Sequence, residues 1–373
     1  SLAGEVFDLL LDEGFAVSDE LIQSGIEEHG QHDEKQSALD IANFIKDEFL
    51  EEKEEPEPEI KKEEINPAHI KRKKADAFQP IHPEISEDKR IDFHIETNER
   101  YYGNKSEKYQ ANIVAISTLK RIEGEDRLAN SDEQKSLSKY TGWGGLSEYF
   151  DERNGKYLEL KSLLSEEEYA SARASSLTSF YTAPEIIEAI YKGLAQMGFN
   201  KGNILEPSCG IGNFIGMLPA DMKGSRVYGI EIDSISGRIA QQLYQNSSIL
   251  IDGYENVNLQ DSFFDVAVGN VPFGDFKVAD KKYDKHNFLI HDFFFGKTLD
   301  KVRPGGVIAF ITSKGTMDKE NSSVRKYIAQ RADLIGAIRL PDNAFYKNAG
   351  TEVTSDIIFL QKREAVTNVE PDW

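Results

Sequence analysis

Cysteine is nearly absent. The 373 residues hold one, Cys209, which excludes an intramolecular disulfide and any metal site built from several thiolates, and fits a reducing cytoplasm. Long apolar runs are missing as well. No stretch approaches the roughly 18 residues that a bilayer span needs, and the opening SLAGE has no basic segment leading into an apolar one. A soluble cytoplasmic protein, neither exported nor membrane-bound, is expected. No initiator Met opens the chain, which therefore reads as an excised fragment. His286 and His291 flank the apolar residues 287–295 without ligand spacing to any cysteine, so they read as structural or loop residues and no metal is expected.

A positive excess is missing too, but unevenly. Of 65 acidic and 44 basic residues, 21 and 5 fall within residues 1–64, so that segment carries −16 of the net −21. The remainder is near balance. Bulk charge thus argues neither for nor against a polyanionic partner, and any basic groove must be local.

The chain divides into three parts. Residues 1–64 read as an acidic accessory segment: helix-like apolar spacing in 2–50 (Val6, Leu9, Leu10; Leu39, Ile41, Ile45, Phe49), then the charged linker EEKEEPEPEIKKEE. Residues 65–178 read as a helical region, with helical spacing across 109–140 and in 166–174. Between them YTGWGGL (140–146) makes a glycine turn around Trp143, read either as a structural corner or as a base or DNA contact. Residues 179–373 read as the catalytic domain, entered through SFYTAP (179–184) and the amphipathic run 185–197.

From residue 203 the rhythm is strand, turn, helix. Candidate strands are 203–205, 226–230, 249–251, 265–268, 306–312, 334–339 and 356–362. Short apolar strands without alternation, separated by helices, predict a mostly parallel seven-stranded sheet covered on both faces. The last two are joined by a polar loop with little helix signal, so the final strand is expected to return antiparallel.

Two features of this α/β region suggest a nucleoside ligand. EPSCGIGNF (206–214) carries a strand into a glycine turn, and Gly210 and Gly212 lack the Cβ that would keep a ligand from the backbone. No Gly-Lys-Ser/Thr follows, which excludes the phosphate-binding loop. About 20 residues on, VYGIE ends a second strand in Glu231, placed to accept hydrogen bonds from ribose hydroxyls.

A third feature, the tail of the fourth strand, discriminates among cofactors. The run FDVAV continues into Asn270, Val271, Pro272 and Phe273. The Asn270 side-chain oxygen and the Val271 carbonyl form an acceptor pair for both N–H groups of a planar amine, and Phe273 offers a ring to stack on the base. Such a grip requires the base to leave its helix. Lys277, Lys281, Lys282 and Lys285 follow, either as phosphate contacts or as a solvated loop. Cys209 reads as a small packing residue.

Together EPSCGIGNF, the Glu231 strand and NVPF resemble the amino-group DNA methyltransferases that use S-adenosylmethionine, in the N6-adenine branch and the gamma motif order. YTGWGGL, GNVPFG (269–274) and RPGGVIAFITSKGTMD (303–318) resemble methyltransferase regions of large phage and conjugative-element methylase-helicase proteins. The likeness implies a Rossmann-like methyltransferase fold. Phe180, Tyr181 and Thr182 would border the methionine end of the cofactor, Glu206, Pro207, Ser208, Gly210 and Gly212 would shape its pocket, and Glu231 with Ile232 would hold the adenosine. Asp252 and Tyr254 fall where the family places an adenine contact, with Tyr254 as a stacking group, although the usual Asp-Phe is absent. The tetrapeptide also departs, since Val271 replaces the usual first proline.

The implied activity is methyl transfer to adenine N6 in DNA. The implied partners are DNA with a flipped target adenine and a fused or associated helicase or recognition domain, in a modification or anti-restriction role. Two alternatives stay open on the residues alone: protein glutamine N5-methylation and a non-catalytic cofactor- or DNA-binding module.

Overall fold

Three helices ahead of the sheet begin where an amide or hydroxyl closes the first turn. Asn104, Asn130 and Ser165 each accept from the backbone N–H three residues on, while Glu107, Glu133 and Glu168 reach back to the cap. They open α1 (Lys105–Gly124), α2 (Ser131–Leu137) and α4 (Glu166–Ser175), with α3 (Tyr157–Leu163) between. Pro184 at the first turn opens α5 (Pro184–Gln196). The computed structural model describes Val6 and residues 79–96, 103–176, 182–342 and 354–373. Residues Lys73–Trp373 form one compact unit, described here. The helices expected in 2–50 and the linker after them lie outside the described residues, Val6 apart.

The sheet has seven strands: β1 (Asn203–Glu206), β2 (Arg226–Glu231), β3 (Ser248–Ile251), β4 (Phe264–Asn270), β5 (Val302–Ser313), β6 (Ala332–Arg339) and β7 (Ser355–Lys362). Their order is β3-β2-β1-β4-β5-β7-β6. The first five pair in parallel, and β7 runs antiparallel to both β5 and β6. The expected antiparallel return is thus observed, with the last strand inserted between its two predecessors.

Strands read as continuous apolar runs because both faces are covered. Val266, Val268, Ile357 and Phe359 join one core with Ile116 and Leu119 of α1, Ile190 of α5, and Ile235 and Ile239 of α7 (Ser234–Leu243). Ala267, Ile358 and Leu360 face the opposite core with Phe293 and Phe295 of α8 (Ile290–Lys301) and Ile328 of α10 (Ser323–Ala329). Short helices α6 (Asn213–Gly216) and α9 (Gly315–Asp318) follow β1 and β5. At Gly193 a Cβ would come within 3.2 Å of the Phe359 ring, so the missing side chain lets α5 settle on β7.

A segment ahead of α1 fastens this frame. The Arg90 guanidinium donates to the carbonyls of Ile81, His82, Ile85 and Gln245. Phe93 and Ile95 donate their N–H groups to Leu243 and Gly216, which ties the segment to the ends of α7 and α6.

Candidate active site

The strand order reverses beside β1: the chain runs outward through β2 and β3, then crosses back to β4 on the other side. Carboxyl ends of strands at such a reversal form a crevice that loops cannot fill, which is where open α/β sheets bind ligands. Three of the expected residues end these strands: Glu206 on β1, Glu231 on β2 and Asn270 on β4.

The glycine turn is hydrogen-bonded to both neighbours. Cys209 N–H donates to the Ile230 carbonyl at 2.9 Å, and Gly210 N–H to Glu231 Oε2 at 2.7 Å. Ser208 Oγ donates to the Asn270 carbonyl at 2.9 Å. Gly210 and Gly212 take positive φ of 57° and 84°, where a side chain is strained. Gly212 has a second reason to lack one, since its Cβ would lie 2.4 Å from the Tyr244 ring. Its constraint is therefore packing as well as access. Cys209 is buried, and burial pushes its thiol well up, so it stays protonated as a packing residue.

Charge in the crevice is unbalanced. Burial, and then the neighbouring Glu231, push the Glu206 carboxyl well above the usual range. Its Oε2 is buried without a hydrogen-bond partner among the described residues. Glu231 is pushed up to about 7 by burial, against the lowering effect of the N–H donors of Asp233 and Gly210. Beside it Ile232 is 72% exposed. An exposed β-methyl and ethyl group next to a ribose-type acceptor can cover one face of a planar base.

Asp252 donates its N–H to the Glu231 carbonyl, and its side chain accepts from Gly253 and Asn256. Tyr254 departs from the expected stacking role. Its ring is buried among Phe293, Phe294 and the Lys297 ammonium, and its hydroxyl pairs with Thr298 at 3.0 Å. It is core, drawn inward by α8. Thr182 is buried; Phe180 and Tyr181 lie outside the described residues.

At β4, Gly269 has φ 152° and runs beside Glu206, whose Cγ would lie 3.7 Å from an added Cβ. Asn270 Oδ1 is buried without a hydrogen-bond partner among the described residues. An amide oxygen held like this costs about 1–3 kcal/mol unless a donor arrives. Val271 donates its N–H to the Ile311 carbonyl at 3.1 Å and is 1% exposed, so the ladder and the core both anchor the loop. Phe273 is half-buried, packed where both cores meet.

Structure divides the remaining candidates. Trp143 is buried against Tyr109 and Phe150, and Asn112 closes its turn by donating to the Gly142 carbonyl and accepting from Thr141 N–H; it is the structural corner. Lys282 is committed to Asp300 and Asp261, and Lys277 donates to Asn287. One cluster had no sequence signal beyond a lone histidine. Lys319 contacts His291 at 3.3 Å and Asp292 at 3.0 Å; both partners are buried at the start of α8, whose Ile290 N–H donates to the Phe276 carbonyl just past the tetrapeptide.

Comparison with known proteins agrees with this geometry. The chain is 30% identical over 263 residues to "Defense against restriction protein B" of Escherichia phage P1, which covers 69% of this chain and 10% of that protein. It is 31% identical over 118 residues to "Type II methyltransferase M.CvrRI" of Paramecium bursaria Chlorella virus XZ-6E, covering 32% and 30%. It therefore spans less than a third of either relative. Among solved structures, a protein described as a class I S-adenosylmethionine-dependent methyltransferase from Listeria monocytogenes superposes over 72% of this chain and 90% of its own, at 18% identity and a TM-score of 0.46. The family model for N-6 DNA Methylase matches residues 163–370, more than half of the sequence, so the chain belongs to the N-6 DNA Methylase family of S-adenosylmethionine-dependent methyltransferases.

Proposed function

We propose that the protein transfers the methyl group of S-adenosylmethionine to the N6 amino group of adenine in DNA. The observation that carries the reading is Asn270 Oδ1, buried and without a hydrogen-bond partner among the described residues at the carboxyl end of β4, beside the strand that ends in Glu206, whose Oε2 is likewise unpartnered. An exocyclic amine is a weak nucleophile because its lone pair is delocalised into the ring. Asn270 Oδ1 and the Val271 carbonyl would accept its two N–H groups and hold the nitrogen out of conjugation. Phe273 would stack on the base after it leaves the duplex.

The residues at the reversal fit the family's cofactor. Glu206 offers a buried carboxylate with a free oxygen to a cationic group, and Glu231 offers acceptors to ribose hydroxyls, with Ile232 over the adenine. When bound, the cofactor supplies an electrophilic methyl on a sulfonium. The chain's own part is to grip the amine, align it and exclude water.

Glutamine methylation meets the same grip, but the family to which the chain belongs is that of N-6 DNA methylases, which favours DNA. The small share of the phage relative that is covered favours a methyltransferase region within a larger modification or anti-restriction protein that carries recognition or helicase parts. The test is tritium transfer from labelled S-adenosylmethionine to adenine-containing duplexes. Asn270→Ala should abolish transfer while cofactor binding by calorimetry persists. Cofactor binding with no transfer to any DNA would sink the proposal.

A further inference from the structure

Away from the strand ends, the helical region holds a cleft of about 770 Å3, within the size range of small-ligand sites. Its floor is aromatic: Phe150 packs edge-on against Tyr169 at 5.4 Å, and Tyr157 against Tyr169 at 6.2 Å. Tyr157 is only half-buried, so part of its ring is open to the cleft. Two cations stand on the rim. Lys161 Nζ lies 4.5 Å above the Tyr169 ring; burial and Tyr157 push the Tyr169 hydroxyl up, and Lys161 and Arg173 offset this only in part.

Of the two acids at the cleft, only Asp151 is ion-paired among the described residues, and Glu152 keeps its charge. Asp151 pairs with Arg153, and Glu152 accepts from the Tyr157 hydroxyl at 3.4 Å. Neither Lys161 nor Arg173 has an ion-pair partner among the described residues. With Asp151 and Arg153 cancelling, Lys161 and Arg173 outweigh Glu152 by one charge, and this positive excess beside an aromatic edge matches a phosphate joined to a planar base. Helix α4, which carries Arg173, also bonds to the cofactor side of the sheet, through Ser171 Oγ donating to Asp233 Oδ1 at 3.0 Å.

We infer that this cleft binds a nucleotide of the DNA substrate, its phosphate against Lys161 and Arg173 and its base against Tyr157. The inference rests on the DNA reading above. It assigns to the helical region the backbone anchoring that residues 65–373, near charge balance, must concentrate locally.

Fluorescence anisotropy with labelled duplex across a salt series tests it. Lys161→Glu and Arg173→Glu should each weaken binding roughly tenfold at low salt and reduce the slope of log K against log salt by about 1. Tyr157→Leu should weaken binding several-fold with the slope unchanged, and Lys161→Arg should retain affinity. S-adenosylmethionine titration should match wild type in all variants, and thermal melting should match in those at the exposed Lys161 and Arg173, whereas Tyr157→Leu, at a half-buried ring, should melt slightly lower. Unchanged duplex affinity in the Lys161→Glu/Arg173→Glu double variant, with wild type still methylating DNA, overturns the cleft and leaves the function standing. A wild-type protein that neither binds nor methylates DNA overturns both. Adenosine monophosphate serves as the second arm: if the variants lose its binding but keep duplex binding, the cleft serves free nucleotides and the inference fails.

Discussion

The backbone N–H of Gly210 donates to Oε2 of Glu231 at 2.7 Å, so the glycine turn after β1 and the acid that ends β2 form one hydrogen-bonded unit. The unit is part-buried, its carboxylate facing into the protein, and desolvation pushes Glu231 up to about 7. The native state therefore holds a proton that the unfolded chain releases from about 4.5 upward, and stability falls as pH rises between these values and levels off above. The loss is on the order of 3 kcal/mol. Cofactor binding should run the opposite way, because ribose hydroxyls donate best to the ionised carboxylate. Calorimetry between pH 5.5 and 8.5 should show affinity rising through pH 7 with proton release on binding, read from the dependence on buffer ionisation enthalpy. Glu231→Gln should flatten both profiles; an unaltered pH profile in that variant would assign the titration elsewhere.

Glu206 separates stability from function more sharply. Its carboxyl is buried, half unpartnered and held well above the usual range by burial and by Glu231. A neutral isostere removes the cost of ionising it. Glu206→Gln should stabilise the cofactor-free protein by about 1–3 kcal/mol near pH 8, with the gain shrinking toward pH 5. The same change should weaken S-adenosylmethionine at least tenfold, since the charge that would meet a cationic group is gone. Urea melts at two pH values and a cofactor titration decide this; a variant both less stable and unimpaired in binding would contradict it.

Trp143 is 1% exposed, with Tyr109 at 6.4 Å and Phe150 at 5.3 Å between ring centroids. Trp143→Ala should cost about 3–5 kcal/mol by cavity formation. Trp143→Phe, which keeps most of the contact, should cost less and leave duplex affinity at the wild-type value. A Trp143→Phe variant that folds normally but loses DNA would restore the base-contact reading.

These cases show where sequence reasoning reached and where it stopped. Strand-end chemistry was local: an acid or amide closing an apolar run identifies Glu231 and Asn270 without any knowledge of neighbours, whereas Glu206 came only through the family resemblance. Strand order needed more, because only the paired register shows β7 lying between β5 and β6. Tyr254 and Trp143 look alike as aromatics near glycines, and their burial depends on helices packed from elsewhere, α8 over one and α1 over the other. His291 carried no signal because its partner Lys319 lies 28 residues on, beyond any local spacing rule. The cleft beside Lys161 was illegible for the same reason, since two helices and a turn must meet to make it.

Val271 is the departure from the family pattern that the structure explains. Proline in that position would stiffen the loop but has no N–H, whereas Val271 donates to the Ile311 carbonyl at 3.1 Å and buries its side chain in the core. The loop is held by the ladder and by packing in place of a ring. Restoring the usual residue should therefore harm this protein. Val271→Pro would leave the Ile311 carbonyl, on a fully buried strand residue, without its donor, costing about 1–3 kcal/mol. Val271→Ala keeps the N–H and loses roughly 2 kcal/mol of packing. Single-turnover methylation should drop more for Val271→Pro than for Val271→Ala at equal cofactor saturation, because displacing the 271 carbonyl disturbs one of the two acceptors for the target amine. A proline variant that methylates faster than wild type would show that the loop is loose in this chain and that the hydrogen bond to Ile311 does not set its geometry.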